Sequence, residues 1–288
     1  MPSIYKTPGY ILCLMGAFFL SWGGLLIREW EGGDTWQILF WRSFFFNLTL
    51  ALFLYFVYKK EAFSIIKKSG FPGLLGGIAM AVGFIAYVFA MRTTTVANVL
   101  FIISTQTIWL ALFGYLFLKE KINLKTFLSI VLAMLGILIM IGGSLNTGSM
   151  LGNLAALFIP INFAFLILLI RKYPNLDLVP ALFFGGLIIM FFSFFITETI
   201  VVSKHNLIVG FLLGSFQHAF GFVCIVIGAR STPAVVVGLL MLVETLLGPF
   251  WVWVFLSEIP PMSVFIGGGI IILAVILKTL EQKYPKDS

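Results

Sequence analysis

Most ionisable residues of this chain fall at breaks between apolar runs, where water reaches them. Glu244, His218 and Arg42 instead lie inside apolar runs of about twenty residues. A charged side chain at mid-bilayer costs about 2.5–3.5 kcal/mol on insertion scales, so each needs a reason. Glu244 begins about nine residues into a run of roughly 22, near the middle of a crossing helix. Gln106 occupies the matching depth in an earlier run. A carboxyl in one helix and an amide in another can hold an asymmetric solute, and either protonation state of the carboxyl suits exchange of a proton against that solute. A protonated glutamic acid bonded to a neighbouring backbone is the structural alternative, and the functional one is favoured.

His218, with Gln217 beside it, is also near mid-depth. It can relay a proton or pair with Glu244, or it can be a neutral imidazole bonded across helices; the sequence does not separate these. Arg42 lies roughly 9 Å inside the end of its run at 1.5 Å per residue. Snorkelling to the surface, or pairing with Glu31 or Asp34, is favoured there over a bidentate grip on a substrate carboxylate. Glu198 closes its run and is expected to be solvated.

Aromatic candidates for a cavity lining are Trp22, Phe84, Tyr87, Trp109 and Trp251. Trp251 and Gly248 follow Glu244 by seven and four residues and so share its helix face, and Gly248-Pro249 predicts a kink that can act as a hinge. Asn162 and Asn98 are donors for a cavity or for interhelical bonds, the latter favoured. Gly73/Gly77 and Gly210/Gly214 have the GxxxG spacing of close helix approach, which includes the option of a dimer face.

The elements that must position these residues follow from composition. The chain has 288 residues, is 61% hydrophobic and 10% charged, and has a mean hydropathy of +1.11. A soluble domain is about half apolar and a quarter charged, so a soluble, disordered or nucleic-acid-binding chain is excluded. Ten apolar runs, at roughly 9–27, 36–58, 70–90, 96–118, 122–142, 150–170, 179–200, 207–227, 235–256 and 262–279, each have the length of a membrane-crossing helix. Alternating patterns are absent, which argues against a barrel. With the N-terminus in the cytoplasm, fourteen Lys and Arg fall on that side and only Arg28, Arg92 and Lys204 on the other. Both termini are therefore expected to be cytoplasmic, and the +7 net charge reflects topology and anionic lipid rather than nucleic acid. The first apolar stretch is long for a signal core and lacks a small-x-small site, so it is expected to be retained.

The chain also repeats itself. An offset of 138 residues pairs Leu74-Leu75-Gly76 with Leu212-Leu213-Gly214, Gly83-Phe84 with Gly221-Phe222, Arg92 with Arg230, Gln106 with Glu244, and Phe117-Leu118 with Phe255-Leu256. An offset of 143 pairs Gly9 with Gly152, Ile27-Arg28 with Ile170-Arg171, and Asp34 with Asp177. Two five-helix halves, 1–145 and 146–288, are expected. Because five is odd, the second enters the membrane from the opposite face, an arrangement that often builds secondary transporters.

Ten helices in two inverted halves, with Phe117-Leu118-Lys119-Glu120 and Phe255-Leu256-Ser257-Glu258 closing the fourth and ninth, resemble the drug/metabolite transporter superfamily, EamA type. Leu242-Val243-Glu244-Thr245 is similar to that family's Leu-Glu-Pro stretch, with Thr where Pro is frequent. The resemblance implies secondary export of amino acids or other small metabolites through a central cavity lined by helices 1, 3, 4, 6, 8 and 9.

The expectation is thus an all-α membrane protein with ten transmembrane helices as two inverted five-helix repeats. Its function is gradient-linked export of small, mostly uncharged or zwitterionic metabolites, amino acids first. Import or solute exchange is the alternative, an intramembrane enzyme using Glu244 and His218 a weaker one, and a channel a third. No phosphate-binding loop, zincin or nucleophile-elbow motif occurs, and two histidines cannot build a histidine-rich metal site. No cofactor is expected. Expected partners are the solute, protons and the lipid bilayer, with the chain acting as monomer or homodimer in a plasma (inner) membrane.

Overall fold

A computed structural model describes residues 3–141, 149–257 and 262–283. Among them every regular element is a helix, as it must be where hydrocarbon offers the backbone no hydrogen-bond partner. Helix α1 is Gly9–Arg28, with a joint at Ser21-Trp22. Helix α2 is Thr35–Tyr58 and α3 is Ala62–Thr93. Two segments, Val96–Ser104 and Gln106–Leu118, form α4. Then come α5 (Leu124–Ile141), α6 (Met150–Lys172), α7 (Val179–Ile196) and α8 (Lys204–Ala229). The last two are α9 (Ala234–Leu256) and α10 (Met262–Lys283). These ten helices coincide with the ten apolar runs.

Between α2 and α3 the helix is almost continuous, yet it makes two crossings. Lys59 (φ 50°) and Gly70 (φ 47°, ψ −140°) are left-handed joints, and the second crossing starts after Gly70, which alone of the two takes that conformation without a Cβ clash. The starts of α2, α4, α6 and α8 are capped by Asp34, Thr95, Ser149 and Ser203, whose side-chain oxygens accept from backbone N–H groups of the first turn. Helices α4 and α9 end alike, on Lys119 (φ 56°) and Ser257 (φ 55°) in the left-handed conformation. Glu258, the last residue of the second Phe-Leu-x-Glu, lies outside the described residues, as do the expected seam at 145/146 and the Pro260-Pro261 break.

Helix pairing obeys the repeat. Helix α1 packs on α8 and α6 on α3; α1 packs on α9 and α6 on α4; α2 packs on α8 and α7 on α3. The pairs α2/α7, α4/α9 and α5/α10 join each helix to its own counterpart. Exchanging the halves maps this set of contacts onto itself, so the halves are related by a pseudo-two-fold.

Polar contacts concentrate at the two ends of the bundle. At the end holding the N-terminus, the Asp177 carboxylate accepts from the hydroxyls of Tyr5 and Tyr58 and from the Val179 amide (3.0 Å), with Arg230 3.9 Å away. Burial, then the neighbouring Asp177, keeps the Tyr5 phenol neutral well above its ordinary range. The Glu120 carboxylate binds Arg171 (2.9 and 3.0 Å) and caps the start of α9 at the Ala234 amide (2.9 Å). At the opposite end Asp34 accepts from the amides of Gln37 (2.7 Å) and Glu198 (3.1 Å) and from the Thr197 hydroxyl (3.0 Å). Burial is the largest single influence and opposes its charge, but the hydrogen bonds together prevail and hold the carboxyl below the usual range. Glu198 is exposed, as expected.

The GxxxG pairs are used inside the chain. A Cβ on Gly77 would lie 2.8 Å from Phe184 Cβ and 3.1 Å from the Gly185 nitrogen, and one on Gly214 would lie 2.8 Å from the Phe46 nitrogen. Gly73 faces Ser69 and Phe184, and Gly210 faces Trp41 and Trp30. They serve α3–α7 and α2–α8 packing, which corrects the option that they form a dimer face.

Candidate functional site

Where the halves meet, a cavity of about 60 Å³ is lined by α1, α2, α3, α4, α6, α8 and α9. That is room for on the order of four or five waters, well short of the roughly 300–1,000 Å³ of a drug-sized site. Its lining respects the repeat. The offset of 143 pairs Leu20 with Phe163, and that of 138 pairs Ala79 with Gln217, Met80 with His218, Phe84 with Phe222, Ile103 with Met241 and Gln106 with Glu244. Both members of all six pairs face the cavity, so it lies on the pseudo-two-fold. The halves supply different chemistry: Gln217, His218 and Glu244 of the second half stand opposite Ala79, Met80 and Gln106 of the first.

Six of the nine sequence-derived candidates come together here: Glu244, Gln106, His218, Tyr87, Asn162 and Arg42. The Glu244 residue is 7% exposed and no hydrogen bond or ion pair holds it among the described residues, so the reading in which it locks to a neighbouring backbone has no partner in this structure. Gln106 is buried with its amide nitrogen unpaired. Tyr87 is buried, and Asn162 donates to the Phe158 carbonyl (2.7 Å), one turn back on its own helix. Asn98, by contrast, bonds Thr94 and Asn153 (both 3.3 Å), the interhelical role expected of it.

Arg42 corrects the favoured expectation. It neither snorkels nor pairs with Glu31 or Asp34; it is 3% exposed and turned into the cavity. Its Nη2 donates to His218 Nδ1 at 2.5 Å, and its Cζ lies 5.3 Å from the Tyr87 ring centre and 5.5 Å from that of Phe84. A guanidinium only donates, so Nδ1 accepts and the imidazole is the neutral form protonated at Nε2. His218 is wedged among Phe46, Phe84 and Phe222, with centroids 3.8–4.8 Å away. Its partner is therefore Arg42 and not Glu244. It is carried on a π-helical segment of α8, Leu212–Ala219, a type of helix frequent at functional sites.

Trp22, Trp109 and Trp251 are not part of the lining. Trp22 and Trp251 stack on each other at 4.2 Å and 21°, and Trp251 Nε1 donates to Ser21 Oγ (2.8 Å). Trp109 packs edge-on to Phe113. Trp251 does share the face of Glu244, but seven residues carry it roughly 10 Å along the axis, into a different layer. Helix α9 also runs unbroken through Gly248-Pro249.

The six helices that the resemblance implies for the cavity leave out α2, which Arg42 adds. Gln217, which the sequence marks only as a neighbour of His218, lines the cavity and donates to the Leu20 carbonyl (3.3 Å). Its pairing with Ala79 under the 138-residue offset was the available signal.

Known proteins resemble this chain along its whole length. A model of the EamA-like transporter family matches it twice, over residues 7–142 and 146–280. An uncharacterized transporter of Clostridium kluyveri is 23% identical over 302 positions, covering 97% of this chain and 95% of its own. A protein known by crystal structure superposes with a TM-score of 0.79 over 96% of this chain and 97% of its own, at 14% identity. At that identity the likeness is one of fold.

Proposed function

Since the chain belongs to the EamA-like transporter family, we propose that this membrane transporter is a gradient-driven exporter of small metabolites such as amino acids. The observation that carries the reading is the cavity on the pseudo-two-fold, where Glu244 faces Gln106 at matching depth. In an inverted-repeat transporter one half rocks against the other around such a site, so both halves must contribute to it. Glu244, buried with no hydrogen-bond or ion-pair partner among the described residues, is the group that exchanges a proton as the solute binds and leaves. Gln106, Tyr87 and Asn162 are its companions in holding the solute.

The halves divide at 145/146, and both termini lie in the cytoplasm of a cell whose plasma membrane holds the protein. The Lys and Arg distribution supports that orientation. The chain acts without a cofactor and without catalysing a covalent change in its solute. The test uses inside-out membrane vesicles, a labelled mixture of amino acids and metabolites, and an imposed proton gradient. Saturable, gradient-dependent accumulation is expected, and Glu244→Gln is expected to lose it while remaining folded in the membrane. Full gradient-driven accumulation by Glu244→Gln overturns the role given to that residue.

A further inference from the structure

Arg42 is the least symmetric feature of the cavity. Under the 143-residue offset its counterpart in α7 is Gly185, which packs against Gly77 and Met80, and no residue of α7 reaches the cavity. Packing of the two halves therefore does not call for an arginine at this place. The guanidinium is buried, and two of its nitrogens, Nε and Nη1, have no hydrogen-bond partner among the described residues. A buried charge with unfilled donors is costly unless something pairs with it. Glu244 faces the same cavity but makes no direct ion pair with it.

The geometry restricts what can complete the arrangement. Tyr87 and Phe84 lie against the guanidinium, and His218 takes one hydrogen of Nη2. The second hydrogen of Nη2 is left beside either Nε or Nη1 as one two-donor edge of the planar fork, whose best complement is a planar two-oxygen acceptor.

We propose that Arg42, set in place by His218, is the anchor for a carboxylate on the transported solute. The site then takes amino acids and other carboxylate-bearing solutes and rejects amines and amides of the same shape. The assignment rests on the cavity being the transport site. In a bound amino acid the carboxylate lies on Arg42, and the ammonium group is left for Glu244, so neither buried charge stays unpaired. His218 acts as a positioning residue: it turns the guanidinium by accepting one of its N–H groups.

The test is a binding measurement, independent of the direction of transport. Purified full-length protein in detergent is titrated with each of the twenty protein amino acids, following thermal stabilisation. The best binder is then compared with its own carboxamide and its decarboxylated amine. Wild type is expected to bind the amino acid on the order of 100-fold more tightly than either analogue. Arg42→Gln is expected to bring that ratio near one, and Arg42→Lys to keep part of it. His218→Gln, which retains an acceptor, is expected to preserve the ratio, and His218→Leu to lower it.

Equal binding of amino acid and carboxamide by wild type overturns the anchor, as does the absence of any amino-acid binding. The wild-type comparison stands even where a variant fails to fold. Gradient-driven accumulation of amines or amides in the vesicle assay would leave the transport reading standing and refute the anchor. Carboxylate-selective binding without accumulation would do the reverse.

Discussion

Glu120 gives the first Phe-Leu-x-Glu ending a physical role that substitution can measure. Lys119 turns the chain left-handed at the end of α4, and the Glu120 amide returns to the Gly114 carbonyl at 3.0 Å. The carboxylate then reaches two other helices: one oxygen takes two N–H groups of Arg171 at the end of α6, and the other caps α9 at Ala234. The side chains of Glu120 and Arg171 are 15% and 25% exposed, so the pair is only partly screened. Glu120→Ala removes a helix cap worth about 1 kcal/mol and a charge-assisted contact worth about 1.5–3 kcal/mol. The expected loss is about 3 kcal/mol, a fall in melting midpoint of roughly 5 °C for a chain of 288 residues. Glu120→Gln keeps an acceptor for Ala234 and loses the charge, so it should fall about half as far. Midpoints would be followed by intrinsic fluorescence in one detergent at one scan rate. The double variant with Arg171→Ala should fall short of the sum of the singles by about 1–3 kcal/mol. A Glu120→Ala midpoint within about 2 °C of wild type, or full additivity with Arg171→Ala, refutes the three-helix tie.

Gly77→Ala places a methyl group 2.8 Å from Phe184 Cβ and 3.1 Å from the Ala181 carbonyl, and should cost about 1–3 kcal/mol by overpacking. Gly269→Ala, with nothing within 4 Å of the new Cβ, is the control and should leave the midpoint unchanged or raised; equal effects of the two would remove the close α3–α7 contact from the account. Asp34→Ala should cost about 1 kcal/mol near neutrality through loss of the α2 cap. Because the folded carboxyl titrates below its ordinary range, that contribution is complete above about pH 4 and lost as pH falls through the folded value. Wild-type and Asp34→Ala midpoints should therefore converge in acid, and a constant gap down to pH 3 would contradict the hydrogen-bonded carboxylate.

Crossing helices were legible because a bilayer demands length and apolarity, which composition reports directly. The repeat was legible because gap-free offsets survive wherever both halves keep the same contacts, and the pairing of Gln106 with Glu244 led straight to the cavity. Depth was therefore readable; direction around the helix was not. Helix α2 is apolar on nearly every side, so nothing in its pattern separates an Arg42 turned to the surface from one turned inward, and the general cost of burying arginine pointed the wrong way. Trp251 failed for a related reason: sharing a helix face with Glu244 does not place it in the same layer. The π segment around His218 is a backbone state with no residue signature, and it carries Gln217 and His218 in the cavity lining.

The Trp22–Trp251 stack joins α1 of one half to α9 of the other, outside the cavity lining. Two indoles 4.2 Å apart and tilted by 21° couple their strong far-ultraviolet transitions, which adds an exciton couplet to the dichroism that separated indoles do not give. Any tilt of one half against the other that parts the rings erases that signal. The protein thus carries its own optical gauge of the angle between its halves, readable without a label and without touching the residues that line the cavity.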